Sequence, residues 1–188
     1  MKRAGLAAPG SMAAILGVDI PTLDKVCADA STLDEVVQVA NDNSSGQVVI
    51  SGAKAAVERA MAGAKSAGAK RALPLAVSIA AHSLLMASIQ EEWNNTVQSA
   101  AFNDFRTPVI GNVRAAPFTD AASARADIMA QMQSRVRWVD SVKFMAGQGI
   151  TTFVEVGSGT VLGGLVKRIA DGALSLSLGN PQDFAGLE

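Results

Sequence analysis

The apolar positions along residues 11–78 fall into short blocks whose spacing alternates between that of strands and that of helices. The predicted strands and helices are strands at 12–16, 36–40, 47–51 and 71–77 and helices from about 20 to 30 and from 54 to 67. The order strand, helix, strand, strand, helix, strand is that of a ferredoxin-like split βαβ unit. We therefore predict a four-stranded antiparallel sheet with two helices on one face.

Residues that favour turns and helix ends occur at the boundaries of these blocks. Pro21 suits the first turn of a helix, and Gly68 stands where a C′ glycine ends one. Asn43-Ser44-Ser45-Gly46 has turn chemistry and separates two strand-like runs. The two middle strands are therefore predicted to form a hairpin.

The second half of the chain alternates helices with short apolar strands. Its predicted elements are helices at 83–99, 121–133, 136–148 and 161–169 and strands at 109–113, 152–156 and 174–178. Such alternation indicates an α/β layer with a parallel sheet. The strands are too few for a comfortable sheet, since sheets commonly have about four to six strands. This half therefore looks incomplete.

Composition narrows the classes of partner. Of the 188 residues, 49% are apolar, which is enough for a real core, and 16 basic against 17 acidic residues give a net charge of −1. No global field recruits nucleic acid or an anionic membrane. Cys27 is the single cysteine, so neither an intrachain disulfide nor a pair of thiols for zinc is available. With no apolar run suited to a signal peptide or a membrane span, we expect a soluble, cytoplasmic protein.

His82 is the only histidine, at the junction of a strand and a helix. A histidine in such a place can act as a general base, because imidazole titrates near neutral pH. The alternative is a histidine that is hydrogen-bonded in the core or at a helix start. Ser83 is adjacent and points elsewhere on a helix, and Cys27 lies among apolar neighbours within a helix. No complete catalytic set is visible.

Two glycine-containing patterns could indicate other chemistry. The G-x-S-x-G elbow that presents a nucleophilic serine is absent, and Ser158 in Gly157-Ser158-Gly159 has the wrong spacing. The strand, turn and helix over residues 152–164 have some likeness to a dinucleotide-binding fingerprint. That fingerprint belongs at the first strand of a βαβ unit, with an acidic residue about twenty positions later. Here the chain is nearly finished, so nucleotide binding is disfavoured.

Six blocks of sequence follow one another along the chain: GSMAAILGVD, NDNSSGQVVISG, GAKRALPLAVS, the His-Ser-Leu-Leu-Met run, RVRWVDSVKFMAGQG and FVEVGSGTVLGGLVKRI. In this order they resemble blocks of the malonyl-CoA:acyl carrier protein transacylase family. The resemblance implies an α/β-hydrolase-like domain into which a ferredoxin-like subdomain is inserted. Residues 1–10 would be a remnant of the large subdomain, 11–78 the ferredoxin-like small subdomain, and 79–188 the C-terminal part of the large subdomain. The implied fold class is α/β, with an α+β small subdomain.

The resemblance also assigns roles to residues. It makes His82 the general base that takes the proton of a serine, and it makes Gln131 the residue whose main chain orients the imidazole. Asn43 and Gln47 fall where the family lines the substrate cleft, although turn formation and strand pairing explain them equally well. The basic pairs Lys70-Arg71 and Lys167-Arg168 correspond to places where the family meets the acyl carrier protein. Alternatively, these two basic pairs are ordinary solvated surface residues. The substrates implied are malonyl-CoA and the acyl carrier protein, with no metal or redox cofactor.

The same resemblance places the family's serine elbow, its carboxylate-binding arginine and its oxyanion loop before Met1. We therefore expect no nucleophile in this chain, an inactive isolated chain, and self-association through the exposed core of an incomplete large subdomain. Open alternatives are a non-catalytic carrier-binding module, one half of a split acyltransferase, and a truncated gene model. Ala81 replaces the phenylalanine that many malonyl-selective relatives carry, which leaves room for a branched acyl group. Ser158 replaces a proline of the family's turn.

Overall fold

Strands and helices alternate through the computed structural model, which describes residue 5 and residues 9–186. The strands are β1 Gly10–Leu16, β2 Val37–Ser44, β3 Gln47–Ala53, β4 Arg71–Pro74, β5 Ile110–Gly111, β6 Ala116–Pro117, β7 Val136–Arg137, β8 Thr152–Val156 and β9 Leu174–Leu178. The α-helices are α1 Ile20–Ala30, α2 Lys54–Ser66, α3 Gln90–Ser99, α4 Ala121–Ala130, α5 Trp138–Gly147 and α6 Val161–Ile169. Two 3₁₀ segments cover Leu84–Ile89 and Pro181–Gly186. Of residues 1–10, assigned above to a large-subdomain remnant, 1–4 and 6–8 lie outside the described part.

The first four strands form an antiparallel sheet in the order β4-β1-β3-β2. β1 lies opposite β3, with Gly10 across from Ala53 and Leu16 across from Gln47. The predicted order of elements, the hairpin and the antiparallel pairing are therefore confirmed. The side chains of alternate strand residues point to one face, where they meet both α1 and α2.

A single apolar cluster joins these helices to the sheet. Ile15 and Ile50 from the sheet and Leu23 from α1 are fully buried in it, and Val57 from α2 is 2% exposed. Alanines of α2 complete the contact, which lets the helix lie close to the strands. Burial of such side chains contributes about 1.5–3 kcal/mol each relative to exposure. This half of the chain therefore has a core of its own.

The ends of α1 and α2 have clear local causes. The Asp19 carboxylate accepts a hydrogen bond from the backbone N–H of Thr22 at 2.9 Å, and Pro21 lies in the first turn. After α2, Gly68 adopts φ of 96°, a left-handed conformation that glycine reaches without strain. Both predicted boundaries are confirmed.

Several predicted elements differ from the structure. The helix predicted at 121–133 ends at Ala130, and the strand predicted at 109–113 is reduced to β5, which pairs antiparallel with β6. The predicted strand at 71–77 ends at Pro74, the last residue in register with β1, and one further bond follows, from the Leu75 N–H to the Met12 carbonyl at 2.9 Å. The predicted helix at 83–99 is divided at Ile89, whose φ of −115° and ψ of 5° lie outside the α-helical range. The first part is a 3₁₀ segment, and only α3 is α-helical.

The predicted helix at 136–148 is wrong at its start. Val136 and Arg137 form β7, which pairs in parallel with Asn41 and Asp42 of β2. The Arg137 backbone N–H donates to Asn112 Oδ1 at 3.1 Å, which holds the segment extended before α5 begins. β7 is thus a fifth strand of the first sheet, and it attaches the second half of the chain to the first.

The last elements match their predicted bounds, but they form a small layer. β8 and β9 pair in parallel, and among the described residues they pair only with each other. A cluster of Val142, Val166 and Ala170 supports them from α5 and α6. Val156 and Val161 are each 71% exposed. Within residue 5 and residues 9–186, no helix has the length and apolar character to cross a membrane.

Gly52 provides a test of the first sheet. A Cβ atom there would lie 2.1 Å from the Val36 carbonyl oxygen, so Gly52→Ala must displace backbone and should lower the free energy of unfolding by about 1–3 kcal/mol or more. Gly147→Ala is the matched control, because an added Cβ meets nothing within 4 Å and alanine favours a helix. Urea denaturation of both variants measures the difference. Equal stability of the two would contradict the observed approach of β3 to residue 36.

Candidate active site

His82 lies in the loop between β4 and the first 3₁₀ segment, with a left-handed backbone at φ of 57°. This conformation is uncommon for residues with a Cβ atom, although histidine adopts it more often than most. Ala80 before it and Ser83 after it are both fully buried, and the His82 side chain is half-buried. The loop is therefore anchored on both sides of the imidazole.

Two backbone carbonyl oxygens face Nδ1 of His82. The distances from Nδ1 to the Gln131 oxygen and to the Ser134 oxygen are both 3.1 Å. Since a carbonyl oxygen only accepts, Nδ1 must carry the proton and donate it to this pair. The lone pair of the neutral ring is then on Nε2, which has no hydrogen-bond partner among the residues that the structure describes. His82 is arranged to accept a proton at Nε2.

Asn112 holds the turn, residues 131–135, that presents these carbonyls. Its Nδ2 donates to Gln131 Oε1 at 3.0 Å and to the Arg135 carbonyl at 3.3 Å. Its Oδ1 accepts from the backbone of β7, as described above. One side chain therefore bonds both ends of the turn and the strand that follows it.

α3 holds the end of α4, from which the turn leaves. Gln90 Nε2 donates to the Met129 carbonyl at 2.7 Å, and Trp93 Nε1 donates to the Ile128 carbonyl at 2.8 Å. Gln133 Nε2 in turn donates to Gln90 Oε1 at 2.7 Å. The first two bonds give side-chain donors to carbonyl groups at the C-terminus of α4, of which the Ile128 carbonyl also accepts from the Gln131 N–H at 3.3 Å.

Gln38 of β2 connects the His82 loop to the same turn. Its Nε2 lies 3.2 Å from the His82 carbonyl and 3.2 Å from the Gln133 carbonyl, and its Oε1 accepts from the Leu84 N–H at 3.2 Å. Sequence reasoning missed Gln38, Asn112 and the carbonyl of Ser134. A glutamine inside the β-branched run of β2 was the one available signal.

The structure shows the predicted contact between His82 and the main chain of Gln131, whereas the catalytic roles of both residues remain predictions.

The hydroxyl of Ser83, next to His82, and the thiol of Cys27 are poor nucleophiles. Ser83 Oγ donates to the Ala80 carbonyl at 2.7 Å and accepts from the Leu85 N–H, as a cap of the 3₁₀ segment. Burial, followed by the negative charge of Asp24, raises the pKa of Cys27 to about 12, so its thiol stays protonated near neutral pH.

The carboxylate of Glu155 binds the backbone N–H groups that follow the glycine turn after β8. Glu155 accepts hydrogen bonds from the backbone N–H groups of Leu162 at 3.1 Å and Gly163 at 2.8 Å, in the first turn of α6. In a dinucleotide-binding turn these positions face a phosphate. The arrangement therefore disfavours the fingerprint considered from the sequence, and Ser158 stays exposed in the turn. The described residues contain no cluster of three or more His, Cys, Asp or Glu that could hold a metal ion.

The two candidate substrate residues lie near the end of the β2–β3 hairpin. Asn43 falls at a register shift between the paired residues Asp42 and Ser44. Gln47 opens β3, and its Oε1 accepts from Arg168 Nη1 at 2.7 Å. The structure thus brings a candidate substrate residue and a candidate docking residue into contact with each other.

The other three candidate docking residues, Lys70, Arg71 and Lys167, are exposed. Lys70 and Arg71 lie at the start of β4, where the Lys70 N–H donates to the Leu16 carbonyl at 2.8 Å, and Lys167 lies in the last turn of α6. Lys70 packs against Gly17, next to the hairpin turn. Neither basic pair bonds to His82 or Gln131 in the described part of the chain.

A cavity of about 280 Å³ lies beside the hairpin turn, and its lining includes Asp42, Lys143 and Arg168. Burial raises the pKa of the Asp42 carboxyl above its ordinary value of 3.8, and the negative charge of Asp140 raises it further. The positive charges of Arg135, Lys143 and Arg137 act in the opposite direction. The charged form of Asp42 is therefore less favourable in the folded protein than in water.

Comparison with known proteins places most of the chain in one family. The family model described as "Acyl transferase domain" matches residues 2–174. A malonyl CoA-acyl carrier protein transacylase of Escherichia coli O157:H7 is 43% identical over 176 residues, which are 94% of this chain and 57% of the relative. The chain therefore spans less than two thirds of the length of that relative.

Solved structures agree with this match. An acyl carrier protein S-malonyltransferase from Vibrio cholerae O1 biovar eltor is similar with a TM-score of 0.90 and 39% identity, over 95% of this chain and 58% of that one. A type II PKS acyl-carrier protein in complex with its malonyl-transacylase, PlMCAT:AntF, matches with a TM-score of 0.91 and 34% identity, over 97% of this chain and 60% of that one. The mixed α/β architecture is therefore shared with malonyltransferases.

The raised pKa of Asp42 predicts a pH dependence of stability. A carboxyl with a raised folded-state pKa contributes stability below 3.8 that is lost as the pH rises through the folded-state value. Asp42→Asn should therefore be more stable than the wild type at neutral pH, and the advantage should vanish below pH 3.8. Urea midpoints across this range measure it. Asp34→Asn, which removes the same charge from an exposed loop, is the control. An advantage for Asp42→Asn that persists in acid would contradict the prediction.

Proposed function

Because the chain belongs to the acyl transferase domain family, we propose that it supplies the histidine side of a malonyl transfer from CoA to an acyl carrier protein. The similar proteins are named as malonyl transacylases, and one of them is solved with a carrier protein. The reaction belongs to fatty acid or polyketide synthesis, in the cytoplasm. No metal or redox cofactor is required by this chemistry.

The observation that carries the proposal is the pair of carbonyl oxygens at Nδ1 of His82. They hold the proton on one ring nitrogen and leave the other free to act as a base. A serine that forms an acyl intermediate needs such a base within hydrogen-bond reach. We propose that this serine lies outside residues 1–188, since the hydroxyl beside His82 is committed to capping.

In the proposed reaction, His82 acts twice. Nε2 takes the proton of the serine as its oxygen attacks the malonyl thioester, and it returns that proton to the departing CoA sulfur. Nε2 then takes the proton of the carrier's phosphopantetheine thiol, which attacks the malonyl-serine, and it returns this proton to the serine oxygen. The carbonyl of Gln131 orients the ring in both steps.

The finer assignments follow the same proposal. Residues 11–78 act as the ferredoxin-like small subdomain and 79–188 as part of the large subdomain. The end of the sheet where Gln47 meets Arg168 would face the substrates, with Asn43 close by along the hairpin. Lys70 and Lys167 would then add positive charge for an acidic carrier protein.

A fusion tests the role of His82. The part of the E. coli relative outside the matched region, joined to this chain, should transfer malonyl from malonyl-CoA to acyl carrier protein, and His82→Ala in the fusion should lower kcat by about 100- to 10,000-fold. Purified residues 1–188 alone should give no transfer and no covalent malonyl adduct by intact mass.

Glu91→Gln, an exposed change on α3, is the control in the same fusion and should retain full transfer. Circular dichroism establishes that the His82→Ala fusion is folded. A malonyl adduct on a residue within 1–188, or full transfer by the His82→Ala fusion, would overturn the proposal.

The exposed face of β8 predicts self-association of the isolated chain. Val154 and Val156 point to the same side of β8, opposite the side that meets α6, and are 45% and 71% exposed. Sedimentation velocity should show oligomers that grow with concentration, and the double variant Val154→Lys with Val156→Lys should shift them to monomer. Leu33→Lys, at a fully exposed loop position away from this face, should have no effect. A wild-type chain that is monomeric at all concentrations would contradict the expectation.

A further inference from the structure

The side-chain amide of Gln38 joins the two segments that form the His82 site. Its Nε2 donates to the carbonyl of His82 and to that of Gln133, and its Oε1 accepts from the N–H of Leu84. Gln133 lies within the turn whose carbonyl oxygens accept the hydrogen bond from Nδ1–H of His82. One side chain therefore contacts both the backbone that carries the imidazole and the turn that orients it.

Only one orientation of this amide satisfies its neighbours. With Nε2 toward the two carbonyls, both of its protons are used and the oxygen meets a donor. The reversed amide would place an oxygen against two carbonyl oxygens and an NH₂ group against an N–H. The three contacts therefore specify one arrangement of the loop relative to the turn.

The sheet itself does not need this side chain. The backbone of Gln38 pairs with Ser51 in the β2–β3 ladder, whatever the side chain does. By contrast, the His82 loop lies outside any ladder and has a left-handed backbone, so it depends on such contacts to keep its position.

We propose that Gln38 is a positioning residue that acts through His82. It touches no reacting atom, but it keeps the imidazole in register with its two acceptor carbonyls and so fixes the tautomer with the proton on Nδ1. Its importance for catalysis rests on the proposed function of His82 as the base. The effect of Gln38 on the tautomer of His82, by contrast, can be measured in this chain without any transfer reaction.

The test uses the fact that His82 is the only histidine. Long-range ¹H–¹⁵N NMR of the ¹⁵N-labelled chain, without CoA or carrier protein, should show a protonated Nδ1 and an unprotonated Nε2 in the neutral ring. Gln38→Glu keeps the acceptor for Leu84 but turns an anionic oxygen toward two carbonyls. We expect the fraction of the Nε2–H tautomer to rise about two- to tenfold, as the loss of one hydrogen bond predicts.

Gln98→Glu, on the exposed surface of α3, introduces the same charge and should leave the tautomer unchanged. Gln38→Asn is the second variant, since it keeps an amide but is one methylene shorter, and it should shift the tautomer in the same direction as Gln38→Glu. An unchanged tautomer in a folded Gln38 variant would overturn the proposal.

Hydrogen exchange in the wild type tests it without any substitution. The Leu84 N–H should be protected relative to that of Leu33, which lies in an exposed loop. Exchange at the rate of Leu33 would overturn the proposal even if neither Gln38 variant folds. Because neither measurement requires transfer, loss of the proposed function would leave this result standing, and the reverse also holds.

Discussion

The short parallel pairing of β7 with β2 is the contact on which the His82 site depends. β7 follows directly after the turn at 131–135, so its alignment with Asn41 and Asp42 sets where the two acceptor carbonyls stand. Gln38 lies three residues before Asn41 on the same strand and reaches the same turn. Two parallel residue pairs are a weak attachment by themselves. The bonds of Asn112 to the turn and of α3 to the end of α4 therefore have to complete it.

Neutral side chains make most of the hydrogen bonds that hold the turn; of the charged ones, Arg135 donates to the Val39 carbonyl of β2 at 3.4 Å. Arg135 pairs with Asp24 and Arg137 with Asp140, but all four side chains are between 31% and 47% exposed, where ion pairs contribute little. The imidazole meets carbonyl oxygens, and the carbonyl segments are held by amides. A carboxylate at Nδ1 would carry the cost of a partly buried charge, whereas a pair of carbonyls orients the ring without one.

The sequence predicted the parts of the fold that repeat locally. The spacing of apolar residues predicted the bounds of β8, α6 and β9. It also predicted the order of strands and helices along the first half of the chain. β7 was misjudged, because its two residues directly precede an apolar helical pattern, and the contacts that hold them extended are tertiary ones, to β2 and to Asn112. The role of His82 was suggested by its type and the resemblance. The side-chain amides that hold the His82 loop and the turn at 131–135 were not predicted, because Gln38 contacts carbonyls 44 and 95 positions away in the sequence.

The two halves of the chain differ in how much of their packing is internal. The first sheet and its helices share one cluster of fifteen buried residues, whereas the β8–β9 layer is supported by a cluster of three. The turn at 131–135 is attached to the first sheet through β7, Gln38 and Arg135, and it makes no hydrogen bond to β8 or β9 among the described residues. The orientation of His82 therefore follows from the better-packed half. Whatever covers the exposed face of β8, the two carbonyl oxygens at Nδ1 already fix which ring nitrogen of His82 carries the proton.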